Sequence, residues 1–291
     1  MSNYSTVSGR LVKKVAIATT LAIGTTAVLT TNAMAATLRI TVDNLAPTNG
    51  NFLTPVWFGL HDGSFDIYDR DVSLDAFPGT EALVEDGINE PLAERFSDTV
   101  PDGVQGNLFG PNIPPVGPGE SSSLTVEVDA ANQYFSYASM VIPSNDAFIA
   151  NGNPLAHEIF DDAGNFIGAD FVVLGSDVLD GGSEVNDEAE FSTAFLGQAT
   201  PDTGVDENGV VTEHPGFIPG GRILSTTDFN GFNFTGADFT ADGYEVARFR
   251  VELVEDGAEA VPEPGLVMGL LTLGGVLLAR RQRQRADAQI G

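Results

Sequence analysis

The chain has no cysteine. That excludes disulfide staples, thiolate metal centres and cysteine nucleophiles. Lysine is missing between residues 36 and 264, where six arginines face forty aspartates and glutamates, a formal charge of −34. A surface of that sign repels phosphate backbones and sulfated polyanions, which argues against nucleic acid as a partner, and it attracts divalent cations. The three histidines, His61, His157 and His214, stand singly, with no His-x-His or His-Glu-x-x-His spacing. A zinc site would need all three to converge from separate loops. No Gly-x-Ser-x-Gly elbow occurs, and no internal repeat of fixed period is found.

The two ends of the chain read as addresses. Arg10, Lys13 and Lys14 precede a mostly apolar stretch, Val15 to Leu29, and Ala33-Met34-Ala35 follows as a small-x-small cleavage site. This is the three-part pattern of a secretory signal peptide over residues 1–35. At the other end, 258–291, Pro262-Glu263-Pro264 precedes an apolar segment over 265–279, closed by Arg280, Arg281, Arg283 and Arg285. Fifteen helical residues span about 22 Å, short of a bilayer core of about 30 Å. Such a transmembrane segment crosses only under mismatch, with its basic end held on the cytoplasmic side. The tripeptide, the glycine-rich apolar run and the arginine cluster, in that order, resemble the PEP-CTERM sorting signal of Gram-negative bacteria. The resemblance implies a sorting enzyme of the exosortase type as a partner, cleavage near the tripeptide, and surface display or secretion through the inner membrane.

Between the ends, residues 36–257 are expected to form one domain. Strand signals dominate it. TLRITVDNL (37–45) alternates apolar and polar residues, placing Leu38, Ile40 and Val42 toward a core. Residues 54–62, 123–129, 134–142, 165–175 and 243–255 read as further strands, the last with one break in its alternation after Val246. Residues 79–98 carry helical spacing interrupted by Gly87 and Pro91, so two short helices are expected there. The Gly/Pro-rich stretches 100–120 and 198–220 read as long loops. Many short strands with one helical insertion give an all-β fold, an antiparallel β-sandwich.

The candidate chemistry lies in acids. The stretch LGSDVLDGGSEVNDEAE (174–190) holds six acids and no base. Asp180 and Glu184 flank Gly181 and Gly182, which permit a tight turn aiming both carboxylates at one centre. Calcium takes six to eight oxygens, so a third carboxylate is needed, and Asp146 in IPSNDAFIANGNP (142–154) is the best source. The alternative is a solvated acidic loop, and Asp177, Asp187, Glu188 and Glu190 are assigned to solvent. Asp202, Asp206, Glu207 and Asn208 in the loop 201–215 offer a second cation site, although a turn around Glu207-Asn208-Gly209 explains the same letters. Asp62, Asp66, Asp69 and Asp71 in 61–71 offer a third, although Phe65, Ile67 and Tyr68 point instead to a packed loop.

Three segments, TLRITVDNLAPTNGNFLTPVWFGLHDG, FSYASMVIPSNDAFIA and GSDVLDGGSEVND, are similar to the bacterial form of the spondin N-terminal domain. The similarity runs over about residues 37–255. It implies a C2-like β-sandwich with a Ca²⁺ at one edge and a role in adhesion or extracellular matrix assembly. In animal members the ligands lie in a Ser-Pro-Asp-Trp and an Asp-Ala-Gly-Thr-Asp stretch. The matching positions here are Asp146, and Asp180 with Glu184. Glu184 stands where the family has Asp, Phe148 stands near the family's Trp, and the family's cysteines are absent. No catalytic residue is expected. Two alternatives stay open: an enzyme acting on extracellular polysaccharide through paired carboxylates, and a C2-like domain bridged to anionic lipid by Ca²⁺.

Overall fold

The structure, a computed structural model, describes residues 35–254 apart from 112–114. The expected leader, but for its last residue, and the sorting tail with its apolar segment 265–279 lie outside the described residues. Among the described residues, no helix is long and apolar enough to cross a membrane.

Eleven strands and two helices follow one another along the described chain. They are β1 (Ala36–Asn44), β2 (Phe52–Leu53), β3 (Val56–His61), α1 (Thr80–Asp86), α2 (Glu90–Thr99), β4 (Val104–Leu108), β5 (Ser121–Val128), β6 (Tyr134–Ile142), β7 (Ala147–Ala150), β8 (Ala169–Leu174), β9 (Leu179–Asp180), β10 (Thr212–Glu213) and β11 (Glu245–Leu253). One sheet runs β5-β1-β11-β8, the other β10-β9-β7-β6-β3-β4 with β2 on β6. Every pairing is antiparallel. This is the expected β-sandwich with its short helical insertion.

Alternation places one face of β1 in the core: Leu38, Ile40 and Val42 are fully buried. They meet Phe58, Phe135, Phe249 and Val251 between the sheets. Side chains of this size contribute about 1.5–3 kcal/mol each on burial. The break in alternation along the last strand has a structural cause. A register irregularity lies between Glu245 and Ala247 on the β8 side. A bulge of this kind turns two neighbours the same way, and Val246 and Ala247 are both buried.

The central strands of the second sheet, β3, β6 and β7, are covered on both faces, so they read as continuous apolar runs rather than alternating ones. Every residue of β3 and β7 is buried. Trp57, Leu83, Val84, Leu92, Phe96 and Phe148 fill the layer between this sheet and the helical insertion. Gly87 in the left-handed conformation ends α1, and Pro91 sits in the first turn of α2. The loop 61–71 packs as its aromatic content suggested, with Phe65 and Ile67 almost wholly buried.

Two strands lie where the sequence signals none. The stretch 100–120 is not all loop: Val104–Leu108 pairs with β3. Its glycine and glutamine hide the pattern, because Gly106 lies against the Phe58 ring and leaves no room for a side chain. Residues 142–154 contain β7, whose pairing with β6 and β9 carries Asp146 to the sheet corner.

Candidate metal centre

Asp146 ends the turn between β6 and β7. Ser144 shapes that turn: its Oγ accepts from Ala147 N at 3.1 Å and donates to Val141 O at 2.6 Å. Ala147 pairs with Asp180 across β9, so the two acids are brought to one corner by sheet register. From there the chain turns through Gly181 and Gly182, the latter at φ +64°, a region that favours glycine. Asp180 Oδ1 accepts from Gly182 N at 2.8 Å and Oδ2 from Asn186 Nδ2 at 2.7 Å. Asp146 Oδ2 accepts from Ser183 N at 2.9 Å and Glu184 N at 3.1 Å. Glu184 then crosses to the third loop, where Oε1 accepts from Gly204 N at 2.8 Å. Gly204 cradles that carboxyl so closely that an added Cβ would lie 1.9 Å from Glu184 Cδ.

All three predicted residues are removed from water: Asp146, Asp180 and Glu184 are 0%, 8% and 3% exposed. Two of them keep an unsatisfied oxygen. Asp146 Oδ1 and Glu184 Oε2 are buried with no hydrogen-bond partner. The Asn145 amide donates to Asp187 Oδ1 at 3.3 Å and Ser192 Oγ at 3.4 Å, and it also lies close enough to Glu184 to favour its ionised form. A buried acceptor left unpaired costs about 1–3 kcal/mol, more if ionised. Burial pushes Asp146 up to about 7, and the negative charge of Asp180 adds to the effect against the bonds from Glu184 and Ser183. Burial likewise pushes Glu184 up to about 7, with Gly204 N–H and Asn145 pulling the other way and Asp86 and Asp187 adding to it.

These residues suit a hard cation in one respect and limit it in another. Orphaned carboxylate oxygens are what Ca²⁺ ligates. Yet no three His, Asp or Glu side chains converge within ligand reach among the described residues. A cation here would take the rest of its oxygens from backbone carbonyls, the Asn145 amide or water.

The remaining acids of the stretch divide. Asp177, Asp187 and Glu190 are exposed, as expected. Glu188 is not. It is buried, and its two oxygens accept from Ile218 N at 2.8 Å and Ile223 N at 2.9 Å. It therefore ties down the loop that follows β10, a role no local pattern signals.

Beside the centre lies an acidic cleft of about 210 Å³, between α1 and the loops 181–184 and 202–209. Glu85 of α1 and Glu184 form its inner wall; Asp75, Glu81, Asp202 and Asp206 contribute to its lining. Burial pushes Glu85 up to about 8; the Ser183 hydroxyl opposes this, and Glu184, Glu81 and Asp86 add to it. Glu85 escaped the sequence reading because it follows two core residues, Leu83 and Val84, in an ordinary helical segment. Its one signal is Glu81 four residues earlier, a like-charged pair on one helix face.

The histidines have separate settings. His61 Nε2 meets Ser136 Oγ at 2.8 Å and His214 Nε2 meets Asn186 Oδ1 at 3.2 Å, while His157 stacks on Phe171 at 3.7 Å. Compared with protein-family models and with curated proteins, the chain matches none.

Proposed function

We propose that this protein is a secreted, surface-sorted, Ca²⁺-binding β-sandwich of the spondin type that acts in adhesion or extracellular matrix assembly. The observation that carries the cation is the pair of orphaned buried oxygens, Asp146 Oδ1 and Glu184 Oε2, at the corner where β7, β9 and the loop 202–209 meet. Asp146, Asp180 and Glu184 would hold the ion, no more than two of them directly and the rest through water, and the ion would supply positive charge beside buried carboxylates. Neutralising them removes the penalty for burying charge and ties the loops to the sheet edge. That ordered edge is then the surface offered to a matrix partner. The adhesive role and the sorting by an exosortase-type enzyme rest on the sequence resemblances alone.

The polysaccharide-enzyme alternative draws on the paired acids Glu85 and Glu184. It also calls for sugar-stacking aromatics, whereas the cleft is walled by serine, glycine backbone, Asn208 and acids around a single apolar residue, Leu74. The binding module is the reading these walls favour.

Calorimetric Ca²⁺ titration of the full chain, with melts in chelator and in Ca²⁺, tests it. The expected result is saturable heat and a melting rise of about 5 °C or more, both reduced in Asp146→Asn and Asp180→Ala. Absence of heat and of any shift in the unsubstituted protein would sink the cation reading.

A further inference from the structure

We infer that β8 is a docking edge for a second copy of this chain, the two strands pairing antiparallel across a two-fold axis so that the four-stranded sheet continues from one molecule into the next. The inference does not rest on the cation reading.

Among the described residues, β8 ends its sheet with no strand beyond it. A free strand edge presents a row of backbone N–H and C=O groups, and proteins guard such a row with lysine, proline, a very short strand or a covering segment. The other sheet ends are guarded in these ways. β5 and β4 lie beside each other, and β10 is two residues long and carries Glu213. β8 has six residues, Ala169–Leu174, with no lysine and no proline. Of its outward side chains, Val172 and Leu174 are apolar and 38% and 43% exposed. At the Ala169 end an open groove of about 360 Å³ is lined in part by Phe166, Ile167, Ala169, Val251 and Leu253. Ile167 and Leu253 are 55% and 47% exposed there.

Charge selects the occupant. Residues 36–264 carry −34, so two copies repel each other wherever their acidic surfaces meet. The outer face of this sheet is the exception. It gathers three of the six arginines, Arg39 of β1 with Arg248 and Arg250 of β11, which alternate with the buried Ile40, Phe249 and Val251. Arg248 donates to both oxygens of Asp170, at 2.7 and 2.6 Å. Arg250 pairs with Asp43, and Arg39 stands opposite Glu252 in the β1 register. Asp170 is the single acid between Phe166 and Gly175, and it is the one Arg248 neutralises. A charged peptide finds no unmatched charge along this edge. A second copy brings an apolar, neutral strand like its own.

Symmetry supplies the register. Like faces continue across the axis only when the axis passes through a residue of the strand, because a slip of one residue flips every side chain. Centred on Phe171, the pairing sets Asp170 opposite Val172 of the second copy; centred on Val172, it sets Asp170 opposite Leu174. In neither does acid face acid, and in both the Leu174 end of one strand runs toward the apolar groove of the other. A contact along six residues is small beside the roughly 1,200–2,000 Å² of stable interfaces. Pairing is therefore expected to be weak in dilute solution and to grow with concentration.

The absence of cysteine makes the test specific, since one introduced thiol reports one contact. In both registers two thiols at position 172 lie opposite or diagonal to each other, about 4.5–8 Å apart. With a short bifunctional maleimide, full-chain Val172→Cys should form crosslinked dimer at least tenfold faster than Thr125→Cys on β5. Each rate is corrected for that thiol's reaction with a monofunctional maleimide. Adding Leu174→Glu to Val172→Cys should slow crosslinking tenfold or more, and sodium chloride should speed it by screening the repulsion. Val172, Leu174 and Thr125 are exposed, and circular dichroism with melts checks that each variant is folded. Should Leu174→Glu fail that check, the comparison of the two thiols decides alone. Association through the apolar ends of the chain would raise both rates alike. The inference is overturned if Val172→Cys crosslinks no faster than Thr125→Cys, or if a folded Leu174→Glu variant leaves the rate unchanged.

Discussion

Three buried carboxyls give the protein a pH signature. In the folded chain Asp146 and Glu184 are pushed up to about 7 and Glu85 to about 8, mainly by burial. Unfolded, each releases its proton near its ordinary value of about 4. Between those limits the folded state binds more protons, so this contribution to stability is complete below about pH 4 and is lost as pH rises through 7 to 8. Melts in chelator should fall by roughly 5 °C or more between pH 5.5 and pH 8.5, and Ca²⁺ should oppose the fall. A flat profile, or one rising with pH, would show that these groups do not retain their protons. Glu188 makes the opposite case: a buried acid whose two oxygens both find backbone N–H donors. Glu188→Ala strands the Ile218 and Ile223 amides and should cost about 2–4 kcal/mol in denaturant melts, with Ca²⁺ binding at the corner retained.

At the scale of elements, the site depends on loops that approach each other through glycine. Gly204 donates its N–H to the Glu184 carboxyl and leaves room for it where a Cβ would stand. Gly204→Ala should therefore expel that side chain and weaken Ca²⁺ binding by tenfold or more, measured by the same titration. Retained affinity would mean that Glu184 contributes no ligand. The helical insertion serves the site as well as the core. α1 buries Leu83 and Val84 against the second sheet and thereby holds Glu85 on the wall of the cleft. Its two-helix form was readable from Gly87 and Pro91. Strand β4 was not readable, because Gly106 and Gln105 are chosen for their neighbours, the Phe58 ring and the Trp57 indole, whose Nε1 donates to Gln105 Oε1 at 2.7 Å.

For the molecule as a whole, charge is the governing term. Residues 36–264 carry −34. Repulsion among exposed carboxylates destabilises any compact state and weakens as salt shortens the screening length from about 30 Å at 0.01 M to about 8 Å at 0.15 M. Melting temperature in chelator should thus rise with sodium chloride across that range. Millimolar Ca²⁺ should give a larger rise than an equal ionic strength of sodium chloride, and equality of the two would reduce the cation's role to screening.

The sequence by itself determined the class of fold. Period-two alternation in β1, β5 and β11 and the turn residues between strands need only local sterics and burial to specify an antiparallel sandwich. It also marked Asp146, Asp180 and Glu184 as the acids to watch, through glycine spacing and family likeness. Which acids are buried, and which of their oxygens go unpaired, was decided by tertiary structure alone. Glu188 and Asp187 are neighbours in one acidic run, yet one is sealed under a distant loop and the other is in solvent. Glu85 joined the cleft because a helix packs where β7 and the loop 202–209 meet. Burial and hydrogen-bond partners of a side chain depend on segments far away in the chain, and no local pattern of letters encodes them.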